Sequence, residues 1–236
     1  MPVAANNAPR LEGTREGGWR LNGWASARIV AGITSRHLDS ARLLRSLRAP
    51  AVTVEAEQVH GSSIAIIGRA SVTPQIVPGC DALLTGLAGV TLFIRTADCL
   101  PVFFAAPSRG VVGLAHAGWR GLAADLPARM VAAVRHVYHA RADELWVAIG
   151  PAIRSCCYDV GPEFRGRFGP FVHERGGRRT CDLVSAALDQ LRRCGVRSDR
   201  VLDTQQCTAC DIQRWFSLRQ EGPSTGRLTS LIMLQP

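Results

Sequence analysis

The sequence predicts an α+β fold, and three features carry that expectation. Short apolar runs of strand character crowd the middle of the chain, and two stretches carry the 3.6-residue apolar stripe of an amphipathic helix. These segments do not follow a strict strand–helix–strand rhythm, which separates them from a doubly wound α/β protein. The 236 residues, 47% hydrophobic and 20% charged, hold enough apolar surface for one substantial core and are too apolar for a disordered chain. No linker or low-complexity stretch divides them. Residues 1–236 are therefore expected to form a single domain, with an atypical Arg- and Gly-rich N-terminal part over residues 1–50.

In that N-terminal part, Ala31 to Thr34 has strand character, and Asp39 to Arg48 fits a short helix with Leu43, Leu44 and Leu47 on one face. From residue 51 strands dominate. Residues 52–57 (VTVEAE) alternate with period two and turn Glu55 and Glu57 towards solvent; 63–67, 90–94, 101–106 and 111–117 are apolar runs bounded by Gly, Pro or Ser. Gly121 to Ala140 reads as one helix, on the spacing of Leu126, Met130, Val134 and Val137, and the run ending at Gly150-Pro151 reads as a buried strand. Asp182 to Cys194 reads as a second helix with Val184, Ala187, Leu188 and Leu191 as its stripe, Asp182 as N-cap and Gly195 just past its end. LTSLIML over residues 228–234 predicts a final strand.

The formal net charge is +9, and every one of the 28 basic residues is Arg. A basic excess raises nucleic-acid binding as a function, but its distribution argues against it. Residues 1–50 carry eight Arg against three acids and 161–200 carry nine against five, whereas 51–160 balance at eight each. The lack of Lys excludes a Schiff-base lysine and a phosphate-loop lysine. No run approaches the roughly 20 apolar residues needed to cross a bilayer, and MPVAANNAPRLEG lacks the basic and apolar regions of a secretory signal. The expectation is a cytoplasmic protein with neither nucleic-acid nor membrane partners. Its eight cysteines then read as reduced thiols, most of them inert core residues; Cys156-Cys157 with Cys207-Thr-Ala-Cys210 is a minor candidate for a structural zinc site, since the set matches no standard zinc-finger spacing.

Chemistry concentrates in three motifs: Gln58-Val59-His60-Gly61, Thr96-Ala97-Asp98-Cys99-Leu100-Pro101 and Ala115-His116-Ala117-Gly118-Trp119-Arg120-Gly121. Each puts a metal-ligating side chain at a strand end beside Gly or Pro, where a rigid sheet positions it and a turn leaves it accessible. If 101–106 and 111–115 form an antiparallel hairpin centred between residues 107 and 109, the position opposite Cys99 falls between 115 and 119, a window that includes His116. Opposed Cβ atoms lie about 4.5–5.5 Å apart. That lets a thiolate and an imidazole share one metal at about 2.3 and 2.0–2.1 Å. His60, at another strand end, completes a His–Cys–His set whose fourth tetrahedral position stays open, although nothing local places it beside the hairpin. The same residues admit two other readings: a Cys99 nucleophile with His116 as its base, or strand-end residues bonded only to backbone.

Three further segments bring a resemblance into view: Cys80–Gly86 (CDALLTG), residues 148–153 (AIGPAI) followed by Cys157-Tyr158-Asp159-Val160-Gly161, and Trp215-Phe216-Ser217 with Thr225-Gly226-Arg227. In order and spacing, the motifs resemble the laccase-domain family, also called multicopper polyphenol oxidase or YfiH-like proteins, of the purine nucleoside phosphorylase type. The resemblance covers roughly residues 51–236 and implies a layered α/β/β/α sandwich with mixed β-sheets. It implies a zinc ion, or copper, on His60, Cys99 and His116. It also implies phosphorolysis of adenosine, inosine, guanosine and methylthioadenosine, and deamination of adenosine. Other members are described as polyphenol oxidases, or as peptidoglycan-editing factors acting on a cytoplasmic muropeptide precursor. Two departures stand out. ITSRHLDSARLLRSL lacks the family's Asn-Leu and Asn-Arg pairs, and Phe216-Ser217-Leu218-Arg219-Gln220 replaces the usual FSYRR.

These readings combine into a zinc enzyme that takes a purine nucleoside and phosphate. In deamination the ion would lower the pKa of a bound water towards about 7 for attack on C6, with Asp98 or Asp81 moving the proton. Without Lys, phosphate falls to Arg or backbone amides, and bidentate Arg suits it. The expected catalytic set is His60, Cys99, His116 and Asp98; the expected substrate contacts are Asp81, Arg120 and Arg227. Six scattered His are too few for a true multicopper oxidase.

Overall fold

A computed structural model describes residues 9–49, 52–69 and 73–236. In chain order its elements begin with β1 (Arg10–Gly13), β2 (Trp19–Asn22), β3 (Ile29–Ile33), α1 (Ser40–Ser46), β4 (Thr53–Ala56), β5 (Ile64–Ile67) and β6 (Gln75–Val77). There follow β7 (Ala82–Thr85), β8 (Thr91–Thr96), β9 (Leu100–Ala106), β10 (Val111–Ala117), α2 (Trp119–Ala123), α3 (Leu126–Tyr138) and β11 (Trp146–Ile149). The last are α4 (Phe164–Phe168), β12 (Val172–Arg175), β13 (Arg178–Cys181), α5 (Leu183–Arg193), β14 (Val201–Asp203), α6 (Leu218–Glu221) and β15 (Leu228–Leu234). No helix among the described residues is long and apolar enough to cross a membrane.

The strands assemble into a seven-stranded sheet, β1-β2-β3-β15-β8-β4-β6, and a six-stranded sheet, β14-β11-β9-β10-β7-β5, with β12 and β13 as a separate ribbon. Both large sheets are mixed: β4 runs parallel to β6 and β8, and β11 to β14 and β5 to β7, while the other pairs are antiparallel. The apolar runs are continuous because both faces of the central strands are buried. In β9, Phe103 points into the layer between the sheets with Leu83, Leu114, Leu92 and Ile232, and Phe104 points to the other side, against α3 and α5 through Met130, Val134, Val184 and Leu191. Beyond the seven-stranded sheet, Leu43 and Leu47 pack with Val30, Phe93, Leu231 and Met233. Four layers result, α/β/β/α.

The N-terminal part supplies three strands of the larger sheet, and β3 is fully buried beside β15; residues 1–8 and 50 lie outside the described set. Asp39 caps α1 by accepting from Arg42 N–H at 2.8 Å, and Asp182 caps α5 by accepting from Ser185 N–H at 2.9 Å. Gly195 follows α5 with φ +89°, a left-handed C-terminal stop. The single helix expected from Gly121 to Ala140 is instead two, α2 and α3. They break at Asp125, whose φ is +57°, and Pro127 opens the second.

Candidate active site

Two crossovers between the sheets build the site. The segment after β4 carries His60 to β5, and the turn after β8 carries Asp98 and Cys99 to β9; each passes from the seven-stranded to the six-stranded sheet. Gln58 ties them together. Its side-chain Nε2 donates to Arg95 O at 2.6 Å and its Oε1 accepts from Arg95 N–H at 2.7 Å. This clamp supplies the link that the local sequence around His60 lacks. Gln58, His60 and Asp98 all have positive φ, +65°, +60° and +86°, so three non-glycine residues hold left-handed backbone at one place.

His116 reaches the site from the end of β10. The hairpin pairs His116 with Pro101 and Ala117 with Leu100, so the residue extrapolated opposite Cys99 is Gly118 and not His116. That vacancy is what the geometry requires. A Cβ at position 118 would stand 3.1 Å from Cys99 Sγ and 3.3 Å from His60 Cδ2. The ligand atoms of His60, Cys99 and His116 lie within 4.8 Å of one another, with the two imidazole rings edge-on at 4.8 Å between centroids.

Asp81, expected to touch substrate, lies beneath the imidazoles with no exposure at all. It accepts from His60 N–H at 2.9 Å, from Gly61 N–H at 2.7 Å and from His116 Nδ1 at 2.9 Å. A carboxylate only accepts, so Nδ1 of His116 carries the proton and Nε2 is left as the nitrogen able to bind a metal. The placement sets the Asp81 carboxylate against both His-bearing segments, out of reach of solvent. Burial pushes its carboxyl up, but the His116 hydrogen bond, the Gly61 N–H, the imidazolium charge and the His60 N–H together hold it below the ordinary range.

The same balance acts on the partners. Burial alone would raise the Cys99 thiol, yet hydrogen bonds from His116 and His60, and the charges of both rings, bring it to about 7. Burial disfavours a charged His116, but hydrogen bonds to Asp81 and Cys99 and their negative charges raise it to about 9. Two imidazoles and a thiolate inclined to ionise are a donor set that fits zinc or copper.

The cluster opens onto a cleft of about 490 Å³, within the size range of small-molecule sites. Among its lining residues are Trp119, Arg120, Ile153, Tyr158, Leu218 and Arg219. Phe164 supports both aromatic walls, 5.3 Å from Trp119 and 5.9 Å from Tyr158 between ring centroids. Each wall carries a guanidinium: Arg120 lies 4.6 Å over Trp119 and Arg219 lies 5.0 Å over Tyr158. Burial, then the negative charge of Cys99, push the Tyr158 phenol up to about 12, so it stays protonated.

Of the remaining expected residues, Arg120 lines the cleft and Asp98 borders it. The Asp98 carboxylate, however, is spent on structure. Oδ1 accepts from Thr208 Oγ1 at 2.6 Å and Ser217 Oγ at 2.8 Å, and Oδ2 accepts from Arg219 N–H at 2.7 Å. These bonds tie it to the wall that presents Arg219. Arg227 is not part of the cleft lining; its Nη1 donates to the carbonyls of Thr225 and Gly226. Arg219 and Tyr158 are the residues that sequence reasoning passed over, although both belong to the quoted segments, one within FSLRQ and the other after Cys157. Glu55 pairs with Arg95 at 2.6 Å and Glu57 accepts from Gly79 N–H at 2.6 Å, so neither faces the site.

Known proteins resemble this chain in sequence and in fold. The chain is 37% identical over 191 residues to the purine nucleoside phosphorylase YlmD of Geobacillus stearothermophilus, a match covering 75% of this chain and 70% of that protein. It is 29% identical over 185 residues to adenosine deaminase RL5 of an unknown prokaryotic organism, covering 72% of this chain and 70% of that protein. The crystal structure of YlmD from Geobacillus stearothermophilus superposes with a TM-score of 0.88 at 31% identity, covering 96% of this chain and 99% of that one. Residues 34–235 match the family described as multi-copper polyphenol oxidoreductase laccase, and the chain belongs to that family.

Proposed function

We propose that the protein is a zinc-dependent purine nucleoside phosphorylase that also deaminates adenosine. One observation carries the reading: two imidazoles and a thiolate converge at a cleft whose aromatic walls each hold a guanidinium. The names of the relatives, purine nucleoside phosphorylase and adenosine deaminase, support the same substrate class.

His60, Cys99 and His116 would hold the ion, which when bound supplies Lewis-acid polarisation at its open position. Trp119 and Tyr158 would flank a purine along the cleft, and the protonated Tyr158 hydroxyl donates a hydrogen bond to a ring nitrogen. Arg120 and Arg219 provide forked donors for phosphate. In phosphorolysis a phosphate oxygen bonds to C1′ of the ribose while the C1′–N9 bond breaks. The electron pair leaves with the purine, which takes up a proton. In deamination water adds at C6 and ammonia leaves.

The test is to incubate purified protein with adenosine or inosine plus phosphate, and with adenosine alone, and to separate the products by chromatography. Free base and ribose 1-phosphate are expected with phosphate, inosine from adenosine without it, and a fall of about 100-fold or more in His116→Ala. Absence of both products, with cleavage of a muropeptide precursor by the same preparation, overturns the reading in favour of a peptidoglycan-editing amidase.

A further inference from the structure

Four cysteines lie together away from the cleft lining. Cys156 and Cys157 occupy the loop after β11, and Cys207 and Cys210 the loop after β14. Their sulfurs all lie within 4.8 Å of one another: Cys156 to Cys207 is 3.6 Å, Cys156 to Cys210 is 3.5 Å, and Cys157 to Cys210 is 3.3 Å. A disulfide needs about 2.05 Å, and all four thiols are free. Four thiolates at about 2.3 Å from a tetrahedral ion instead stand roughly 3.8 Å apart along each edge. The observed separations approach that figure and are too short to enclose a multi-iron cluster, whose thiolates bind separate irons. Of the two sequence readings, inert core thiols or a structural zinc site, the first does not suit Cys156 and Cys210, which are exposed.

We propose that Cys156, Cys157, Cys207 and Cys210 form a second metal site, a structural zinc site of four thiolates that clips the loop after β11 to the loop after β14. The backbone already brings the loops into register: Ala152 bridges Cys207 in parallel, Ala152 N–H donates to Gln206 O at 3.2 Å, and Thr208 N–H donates to Ala152 O at 3.1 Å. Arg154 reinforces the joint with a two-pronged pair to Asp203 at 2.7 and 2.6 Å. A tetrathiolate zinc centre is net negative, and Arg178 lies alongside, its Nη2 donating to Cys156 O at 3.0 Å.

The clip bears on the cleft through two neighbours of its ligands, Tyr158 and Thr208, and through Ile153 on the same loop as Cys156. Tyr158, next to Cys157, forms one wall. Thr208, next to Cys207, donates to Asp98, and Ile153 N–H donates to Asp98 O at 2.9 Å. A zinc ion here therefore positions the loop that carries Tyr158 and, through Thr208 and Ile153, the turn that carries Asp98, apart from any ion at His60, Cys99 and His116.

The experiment is elemental analysis and zinc X-ray absorption on the full chain, purified under reducing conditions, as wild type, His116→Ala, Cys210→Ser and Cys156→Ser/Cys210→Ser. Cys210→Ser and the double variant are each expected to lose about one zinc per chain relative to wild type, whatever the first site holds. His116→Ala is expected to retain one ion with an all-sulfur shell at about 2.3 Å. Where the Cys variants fail to fold, the His116→Ala spectrum alone decides. A nitrogen-containing or absent shell, iron in place of zinc, unchanged zinc in the Cys variants, or a mass showing these cysteines joined as disulfides overturns the proposal.

Discussion

At the scale of single residues, Asp81 and Gly118 determine the cluster without contributing a ligand. Asp81 is buried and accepts from both His-bearing segments, so Asp81→Asn keeps the shape and removes the charged acceptor. Loss of such support weakens metal binding about 10–100-fold, and loss of hydrogen bonds to a buried charge costs about 1.5–3 kcal/mol; chelator competition and urea unfolding measure the two. A depressed carboxyl stabilises fully above its unfolded value near pH 3.9 and loses that stabilisation as pH falls through its folded value. The stability gap between wild type and variant is therefore expected to close in acid. Gly118 has φ −72°, which any residue adopts, so the problem with Gly118→Ala is space alone. Metal affinity is expected to fall by about 10-fold with an unfolding midpoint close to wild type. In metal-free protein, Cys99 is ionised above about pH 7, below an ordinary thiol. Its alkylation rate should rise with that midpoint, and His116→Ala should move the midpoint upward.

At the scale of elements, the helices and central strands were legible because each obeys one local rule. Asp182 and Gly195 mark the ends of α5, and the continuous runs of β9, β10 and β15 follow from burial on both faces. Short edge strands such as β1, β6 and β14 were not, because three or four partly exposed residues leave no period to read. The break between α2 and α3 was missed because the apolar stripe runs across it while Asp125 takes φ +57°. Asp125 is exposed, so it isolates the backbone effect. Asp125→Gly is expected to hold or raise stability, whereas Asp125→Val is expected to lose about 1–2 kcal/mol in urea unfolding. Within the site, hairpin arithmetic gave a window opposite Cys99 that includes His116, although the position itself is Gly118, while the positions of His60 and Asp98 depend on hydrogen bonds spanning 21 to 121 residues. No periodicity encodes those bonds.

At the scale of the whole molecule, two sheets share one apolar layer with Phe103 at its centre, fully buried. Phe103→Ala is expected to cost about 3–5 kcal/mol, read as a lower urea midpoint, since an inter-sheet cavity has rigid strands on both sides and cannot collapse. The same rigidity serves the cleft. His60 and Cys99 stand where the chain crosses from one sheet to the other and His116 at the end of β10 beside them, so the packing of the middle layer bears on the spacing of the cluster.

Strand β15 lies between β3 and β8 in the larger sheet, and Thr229 N–H donates to Thr34 Oγ1 across 195 residues. A nascent chain therefore carries β1–β3 as an orphan ribbon until residues 228–234 become available to seat it. During that interval the flanks of β3 and β8 are unpaired templates for other chains. Closing so long a loop is slow, which places the main hazard of aggregation early in the life of each molecule and not after it has matured.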